Sequence, residues 1–183
     1  MSVLRVSLTS FMILLLLPSG AAGQSDRDGF FIGLGAGVGS LGVEDVDDRE
    51  SALSGYLKLG GAINETVLLG AESNGWIKSE SEAGVDATLT SGSLSAVAYV
   101  YPSQTSGFYL KGGLGLARLD LSASGFGSSL SEGENGTAIT AGIGYDIGFG
   151  GRFALTPYGN FVYSSFENGS TNLLQIGLGA NWY

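Results

Sequence analysis

The chain of 183 residues contains no histidine and no cysteine, and each absence narrows what it can do. Without histidine, Ser-His and Cys-His nucleophile pairs and the commonest metal ligand are gone. Without cysteine there is neither a disulfide nor a thiolate metal site. Cations are scarce as well: eight basic residues against seventeen acidic ones give a net charge of -9, and the basic residues form no cluster. Proteins that hold nucleic acid neutralise phosphates with gathered Lys and Arg, so nucleic acid is not expected as a partner. Beyond Leu17 no apolar run approaches the roughly 20 residues that a spanning helix needs.

The N-terminus reads as a targeting segment. Arg5 is followed by an apolar run, Phe11 to Leu17, and then by Pro18-Ser19-Gly20-Ala21-Ala22-Gly23. That order predicts a secretory signal peptide over residues 1–23, removed after Gly23 or Ala22. The run is too short for a transmembrane anchor. No cysteine follows it, which excludes a lipoprotein. Residues 24–183 are expected to form a single domain.

What fills that domain is alternation. Phe30, Ile32, Leu34, Ala36 and Val38 share one phase, and Phe31, Gly33, Gly35, Gly37 and Gly39 share the other. The last segment sets Leu174, Ile176, Leu178, Ala180 and Trp182 against Gln175, Gly177, Gly179 and Asn181. Period-two alternation means strands with one greasy face. Six more segments of this kind lie between, beginning near Ala52, Val67, Ser93, Phe108, Ile139 and Phe153. A soluble sandwich carries charge on its outer face. Here the second face holds glycine, serine, tyrosine and few charges, while charge gathers in the connections. The expected fold is therefore all-β: an eight-stranded antiparallel transmembrane β-barrel, an up-and-down meander with lipid outside and a narrow, filled lumen inside.

Connection lengths give the orientation. They read short after strands two, four and six and longer after one, three, five and seven, with polar connections over residues 42–50, 78–86 and 120–136. An outer-membrane barrel has short periplasmic turns and longer outer loops, which sets both termini in the periplasm. Phe30, Phe108 and Phe153 start odd strands and Trp182 and Tyr183 end the last, as an interfacial aromatic girdle requires.

Several stretches resemble the small outer-membrane β-barrel family that includes the OmpX/Ail-type proteins and the OmpA membrane domain. They are Tyr101-Pro102 with Gly107-Phe108-Tyr109-Leu110-Lys111-Gly112-Gly113, Tyr56-Leu57-Lys58-Leu59-Gly60, Leu69-Gly70-Ala71-Glu72, Gly142-Ile143-Gly144-Tyr145-Asp146 and Leu155-Thr156-Pro157-Tyr158. The resemblance spans nearly the whole mature chain. It implies a monomer in the outer membrane of a Gram-negative envelope, among lipid and lipopolysaccharide, with adhesion or serum resistance as the associated activities. It also implies recognition by the barrel assembly machinery through a terminal aromatic in phase with the outward residues. Here Trp182 is in phase and Tyr183 trails it by one, so the assembly signal is expected at Trp182 and Tyr183 with a one-residue shift.

The candidate site is the inward phase. Tyr56, Lys58, Glu72, Lys111 and Asp146 all fall on it, and a turn centred on Glu65 sets Lys58 opposite Glu72. Two cations and two anions in a narrow, low-dielectric space are expected to pair, forming a structural polar network that plugs the barrel. The alternative is a narrow path for ions or small solutes, although eight strands leave an interior just wide enough for side chains.

Other chemistry is weaker. The acidic stretch Glu44-Asp45-Val46-Asp47-Asp48-Arg49-Glu50 is oxygen-rich, yet Arg49 stands where an EF-hand needs a ligand, so no metal is expected. A lipid A-modifying enzyme is a second alternative. Small-barrel acyl hydrolases and acyltransferases use a histidine near the membrane surface. Without one, the only Ser-Lys arrangement is Lys78 near Ser79 and Ser81. The chain is thus read as no enzyme, without cofactor, with a structural or surface-interaction role.

Overall fold

The computed structural model describes residues 27–46, 48–82, 85–125 and 128–183. The expected signal peptide lies outside them. Eight strands follow in order: β1 (Phe30–Val43), β2 (Glu50–Asn64), β3 (Val67–Glu82), β4 (Val85–Val100), β5 (Phe108–Gly125), β6 (Ser128–Tyr145), β7 (Phe153–Phe166) and β8 (Gly169–Trp182). β6 breaks at Asp146 and resumes as Ile147–Gly148, which pairs with Leu155 and Ala154 of β7. Each strand pairs antiparallel with the next, and β1 pairs with β8 to close the ring.

The register fixes the shape of the barrel. Partner to partner, Phe31 leads through Gly60, Gly70, Val97, Gly113, Thr140, Val162 and Leu173 to Leu41, so closure is staggered by ten residues. With a rise of about 3.4 Å per residue and strands about 4.8 Å apart, that stagger tilts the strands by about 40° and gives a radius of about 8 Å. Such a cylinder holds side chains and little else.

Alternation sorts the residues as the sequence implies. Leu114, Leu116, Ile176 and Leu178 face outward and are exposed, whereas Phe31, Tyr99, Tyr109 and Leu173 on the other phase are buried. In water such an apolar belt would be an aggregation surface; in a bilayer it is the solvated face. The Phe153 and Trp182 rings meet at 5.1 Å between centroids, and Phe149 lies 6.2 Å from Phe153, an aromatic group at the end where both termini lie.

The turns at that terminal end are built locally. Asn64 Oδ1 accepts from the amides of Thr66 and Val67, both at 2.9 Å, and closes the β2–β3 turn. Gly150 and Gly151 take φ of 90° and 68° in the connection from Ile147–Gly148 to β7, where a side chain would be strained.

The opposite end departs from expectation. Residues 78–82, 85–86, 120–125 and 128–136, expected in loops, continue β3 to β6 as hydrogen-bonded strands, with Val85 still paired to Gly125 and Gly125 to Ser128. β2 pairs with β3 only up to Leu53 and Ile77, and β7 with β6 only up to Ser165 and Thr137. Four strands therefore rise beyond the closed ring as a wall of ribbons. The extra length that separates one end from the other resides in strands. Serines on the outward phase hide this, Ser79 and Ser81 on β3 and Ser122 and Ser124 on β5, because a strand that has left the bilayer has no apolar outer phase to keep.

At the foot of the wall, Arg49 fastens the β1–β2 connection to β8. Its guanidinium donates to Ser40 O at 2.6 Å, to Asn172 O at 3.2 Å and to Asn172 Oδ1.

Candidate functional site in the lumen

The interior is stacked in three layers. Nearest the termini, Phe31, Leu68, Val97, Tyr99, Tyr101, Tyr109, Ala154 and Tyr183 form one apolar cluster. Toward the ribbon end, Leu41, Trp76, Ala117, Ala138, Val162 and Leu173 form another. The Trp76 indole donates to Gly39 O at 3.0 Å, so its one polar atom is satisfied within that layer. Between the clusters lies a polar layer that includes Glu72, Lys111, Asn74, Asn160 and Gln175.

Glu72 is the centre of the polar layer. Its side chain is fully buried and accepts from Lys111 Nζ at 2.5 and 2.6 Å, from Tyr99 Oη at 2.7 Å and from Asn74 Nδ2 at 2.9 Å. Four charge-assisted contacts to one carboxylate offset the desolvation that an unpaired buried charge would suffer. Asn74 in turn accepts from Asn160, which also donates to Gln175 Oε1 at 3.3 Å.

Lys58 does not take the partner that cross-strand register suggests. It sits directly across from Glu72 on β2, yet makes no ion pair among the described residues. Its ammonium lies 4.7 Å from the centre of the Tyr99 ring, 5.1 Å from that of Tyr109 and 5.6 Å from that of Tyr56. Three ring faces replace a carboxylate as its stabilising environment. The physical reason is competition: Lys111, reaching over β4 from β5, already occupies both oxygens of Glu72.

Asp146 also pairs with no cation among the described residues. Tyr101 Oη (2.8 Å), Thr156 Oγ1 (2.6 Å), Asn181 Nδ2 (3.0 Å) and the Tyr183 hydroxyl all donate to it. Neutral donors thus hold the second carboxylate at the terminal end of the lumen. The expectation of two ion pairs is corrected to one pair, one aromatic-caged lysine and one hydroxyl-caged aspartate. Tyr56 packs edge-on against Tyr158 at 4.7 Å between centroids. The hydroxyls of both are buried without a hydrogen-bond partner among the described residues.

Trp182 and Tyr183 separate. Trp182 faces outward, as its phase requires. Tyr183 turns into the lumen, where its hydroxyl also meets that of Tyr101 at 2.8 Å. The one-residue shift thus gives the final aromatic a place inside the plug.

Arg27 was not singled out from the sequence. Its guanidinium carbon stacks 3.8 Å over the Tyr101 ring and Nη2 donates to Ser106 O at 2.6 Å, closing the terminal mouth. The signal for it was Tyr101, in phase with inward Tyr99 and so available as a platform.

Glycine on the inward phase makes room for these rings. A Cβ at Gly179 would overlap the Tyr56 hydroxyl and one at Gly35 would overlap its ring edge.

Outside the bilayer, Lys78 is held by Glu50 and Glu80. Hydrogen bonding to Glu50, then to Glu80, raises its pKa. A lysine kept protonated in this way is no general base for Ser79 or Ser81. Among the described residues no group of three or more acidic side chains is placed to hold a metal ion.

Comparison with known proteins agrees with this architecture. A family model described as "Outer membrane protein beta-barrel domain" matches residues 9–181. The barrel is similar to Ail, the attachment invasion locus protein of Yersinia pestis, solved in complex with the heparin analogue sucrose octasulfate. Identity is 17%, with 85% of this chain and 99% of that one covered and a TM-score of 0.68. Neisserial surface protein A gives 16% identity, 85% and 97% coverage and a TM-score of 0.59. The N-terminal barrel of Pseudomonas aeruginosa OprF gives 16%, 85% and 98%, and 0.50. No curated protein sequence matches the chain.

Proposed function

The chain belongs to the outer membrane protein β-barrel domain family, and from that premise we propose that it is a closed, monomeric envelope barrel. Its work is structural and surface-interactive, and its ribbon end faces outward. The family gives the compartment, the outer membrane, with lipid around the belt. The observation that carries the closed-lumen reading is the stacking of the Glu72–Lys111 layer between two apolar clusters. An ion crossing that path must shed water twice against apolar walls, besides displacing a buried ion pair.

Reconstitution in planar bilayers tests it. The expected trace is silent for the native protein. Discrete conductance steps that change with Glu72→Gln would overturn the closed reading. They would favour a narrow channel, the second reading, for which the unpartnered Tyr56 and Tyr158 hydroxyls speak as positions that water would satisfy.

The barrel contributes no enzymatic step to this role. Lipid A from cells with and without the gene is expected to have the same mass spectrum. Lipopolysaccharide at the outer rim and the assembly machinery reading the Trp182 end complete the set of partners. A sulfated polyanion such as the ligand of the Ail complex is not among them. The sequence stretches that include the described ribbon-end residues (44–50, 78–86, 118–134 and 165–170) hold twelve of the seventeen acidic residues and three of the eight basic ones.

A further inference from the structure

The ribbon wall has an inner face that the closed lumen does not use. On it, Leu119 is paired across strands with Glu134 and Leu121 with Glu132; Leu130 follows two residues beyond Glu132 on the same phase. Leu121 is 44% exposed and Leu130 58% exposed. Unlike the outward leucines, these sit above the ring, where no lipid covers them. Leu119, Leu121, Glu132, Gly133, Glu134 and Asn168 line a cleft of about 500 Å³. Glu134 accepts from the Asn168 amide at 3.1 Å, which steadies one wall of the cleft. Glu132 has no ionic or hydrogen-bonding partner among the described residues.

We propose that this cleft docks a short cationic amphipathic segment of polypeptide, its apolar side chains on Leu119, Leu121 and Leu130 and its basic groups on Glu132 and Glu134. Two properties select that occupant. Exposed leucines beside carboxylates ask for apolar and positive groups within one ligand, which a bare metal ion lacks. The acidic surplus of the whole end attracts cations over the distance of the Debye length and repels polyanions. The proposal rests on the surface-interaction reading above, because it needs the ribbon end to lie in water.

The test uses the full barrel in nanodiscs of zwitterionic lipid, with empty nanodiscs as background. Three fluorescent probe peptides are compared by anisotropy: alternating Lys and Leu, Lys with Ser in place of Leu, and alternating Glu and Leu. The Lys/Leu peptide is expected to bind, more weakly as salt rises, and the other two to bind at least about tenfold more weakly. Leu121→Ser and Glu132→Gln should each weaken it by about tenfold, and heat-modifiable gel migration verifies that each variant still folds. No binding, equal binding by the variants, or equal binding of the Lys/Ser peptide overturns the proposal. Protease accessibility of the ribbon end on intact cells is read separately. A ribbon end protected on the cell surface would sink the outward orientation while leaving the nanodisc result standing.

Discussion

Replacing Glu72 by Gln puts the reasoning about the lumen at greatest risk. Gln keeps the shape and one acceptor but removes the charge that Lys111 meets at 2.5 and 2.6 Å. It leaves Lys111 and Lys58 both buried with Asp146 as the only other buried carboxylate among the described residues, and Asp146 is already ringed by four neutral donors. Breaking a buried pair from one side costs about 3–5 kcal/mol. Lys111→Met should cost less, about 1–3 kcal/mol. The carboxylate then keeps Tyr99 and Asn74, and Lys58 stands directly across the β2–β3 register to replace the lost cation. Lys58→Met should be mildest, at about 0.5–2 kcal/mol, since it removes only ring-face contacts. Urea unfolding of the barrel refolded in lipid vesicles, followed through Trp76 in the lumen, gives the order. Glu72→Gln combined with Lys111→Met should be less damaging than Glu72→Gln alone, because no cation is then stranded in that layer by the loss of its carboxylate. If Lys58→Met matched Glu72→Gln, Lys58 would be the true partner of the carboxylate and the assignment of Lys111 to that role would be wrong.

Other outcomes follow from the same geometry. Gly179→Val should lower stability by about 1–3 kcal/mol because the Tyr56 hydroxyl has nowhere to move; Gly75→Ala, where a Cβ on the lipid face meets nothing within 4 Å, should leave the urea midpoint unchanged, and equal effects would contradict the inside–outside assignment. Tyr183→Phe, which leaves Asp146 one donor short, should cost about 1–3 kcal/mol without slowing assembly into the membrane; Trp182→Ala should slow assembly instead, and pulse-chase of heat-modifiable barrel separates the two. In the ribbons, hydrogen bonding from Arg118 holds the Asp120 carboxyl below its usual range. A depressed folded pKa means that the pair stabilises at neutral pH and ceases to do so as pH falls through that lowered value. Arg118→Gln should therefore move the Asp120 titration upward in an NMR experiment, and an unmoved titration would remove Arg118 as the cause.

Faces were legible in the sequence where lipid enforced them. Leu53, Leu57 and Leu59 against Tyr56 and Lys58 leave one solution, since a one-residue slip would bury the greasy phase and expose a lysine to hydrocarbon. Where the strands leave the bilayer that pressure ends. Ser79 and Ser81 on β3, and Ser122 and Ser124 on β5, share the outward phase of their strands with no apolar pattern, so residues that continue the ladder looked like loops. Local register was readable too, as in Lys58 opposite Glu72. Contacts across the lumen were not, because they depend on the ten-residue stagger and on how far each side chain reaches. Lys111 meeting Glu72, and Tyr183 and Tyr101 meeting Asp146, join strands far apart in sequence and not adjacent in the sheet. The apolar inner face of the ribbons went unseen for a related reason: Leu119, Leu121 and Leu130 stand on two strands and meet only when those strands are paired.

The seam between β1 and β8 gives the barrel a direction of mechanical weakness. Its twelve paired positions run from Ile32–Trp182 to Val43–Thr171, and the two ends of the described chain, Arg27 and Tyr183, lie toward its first rung. A force drawn between those ends opens the cylinder as a zipper, one rung at a time, whereas a force applied at the ribbon end meets strands already joined by turns. The zipper is clasped at its start. Arg27 ties the approach to β1 to Ser106, and Tyr183 ties the end of β8 to Arg152 O, at 2.9 Å, and to the aspartate cage. Lateral opening therefore has its threshold at one rim, and loosening these ties should convert a closed cylinder into a sheet that parts from the terminal end.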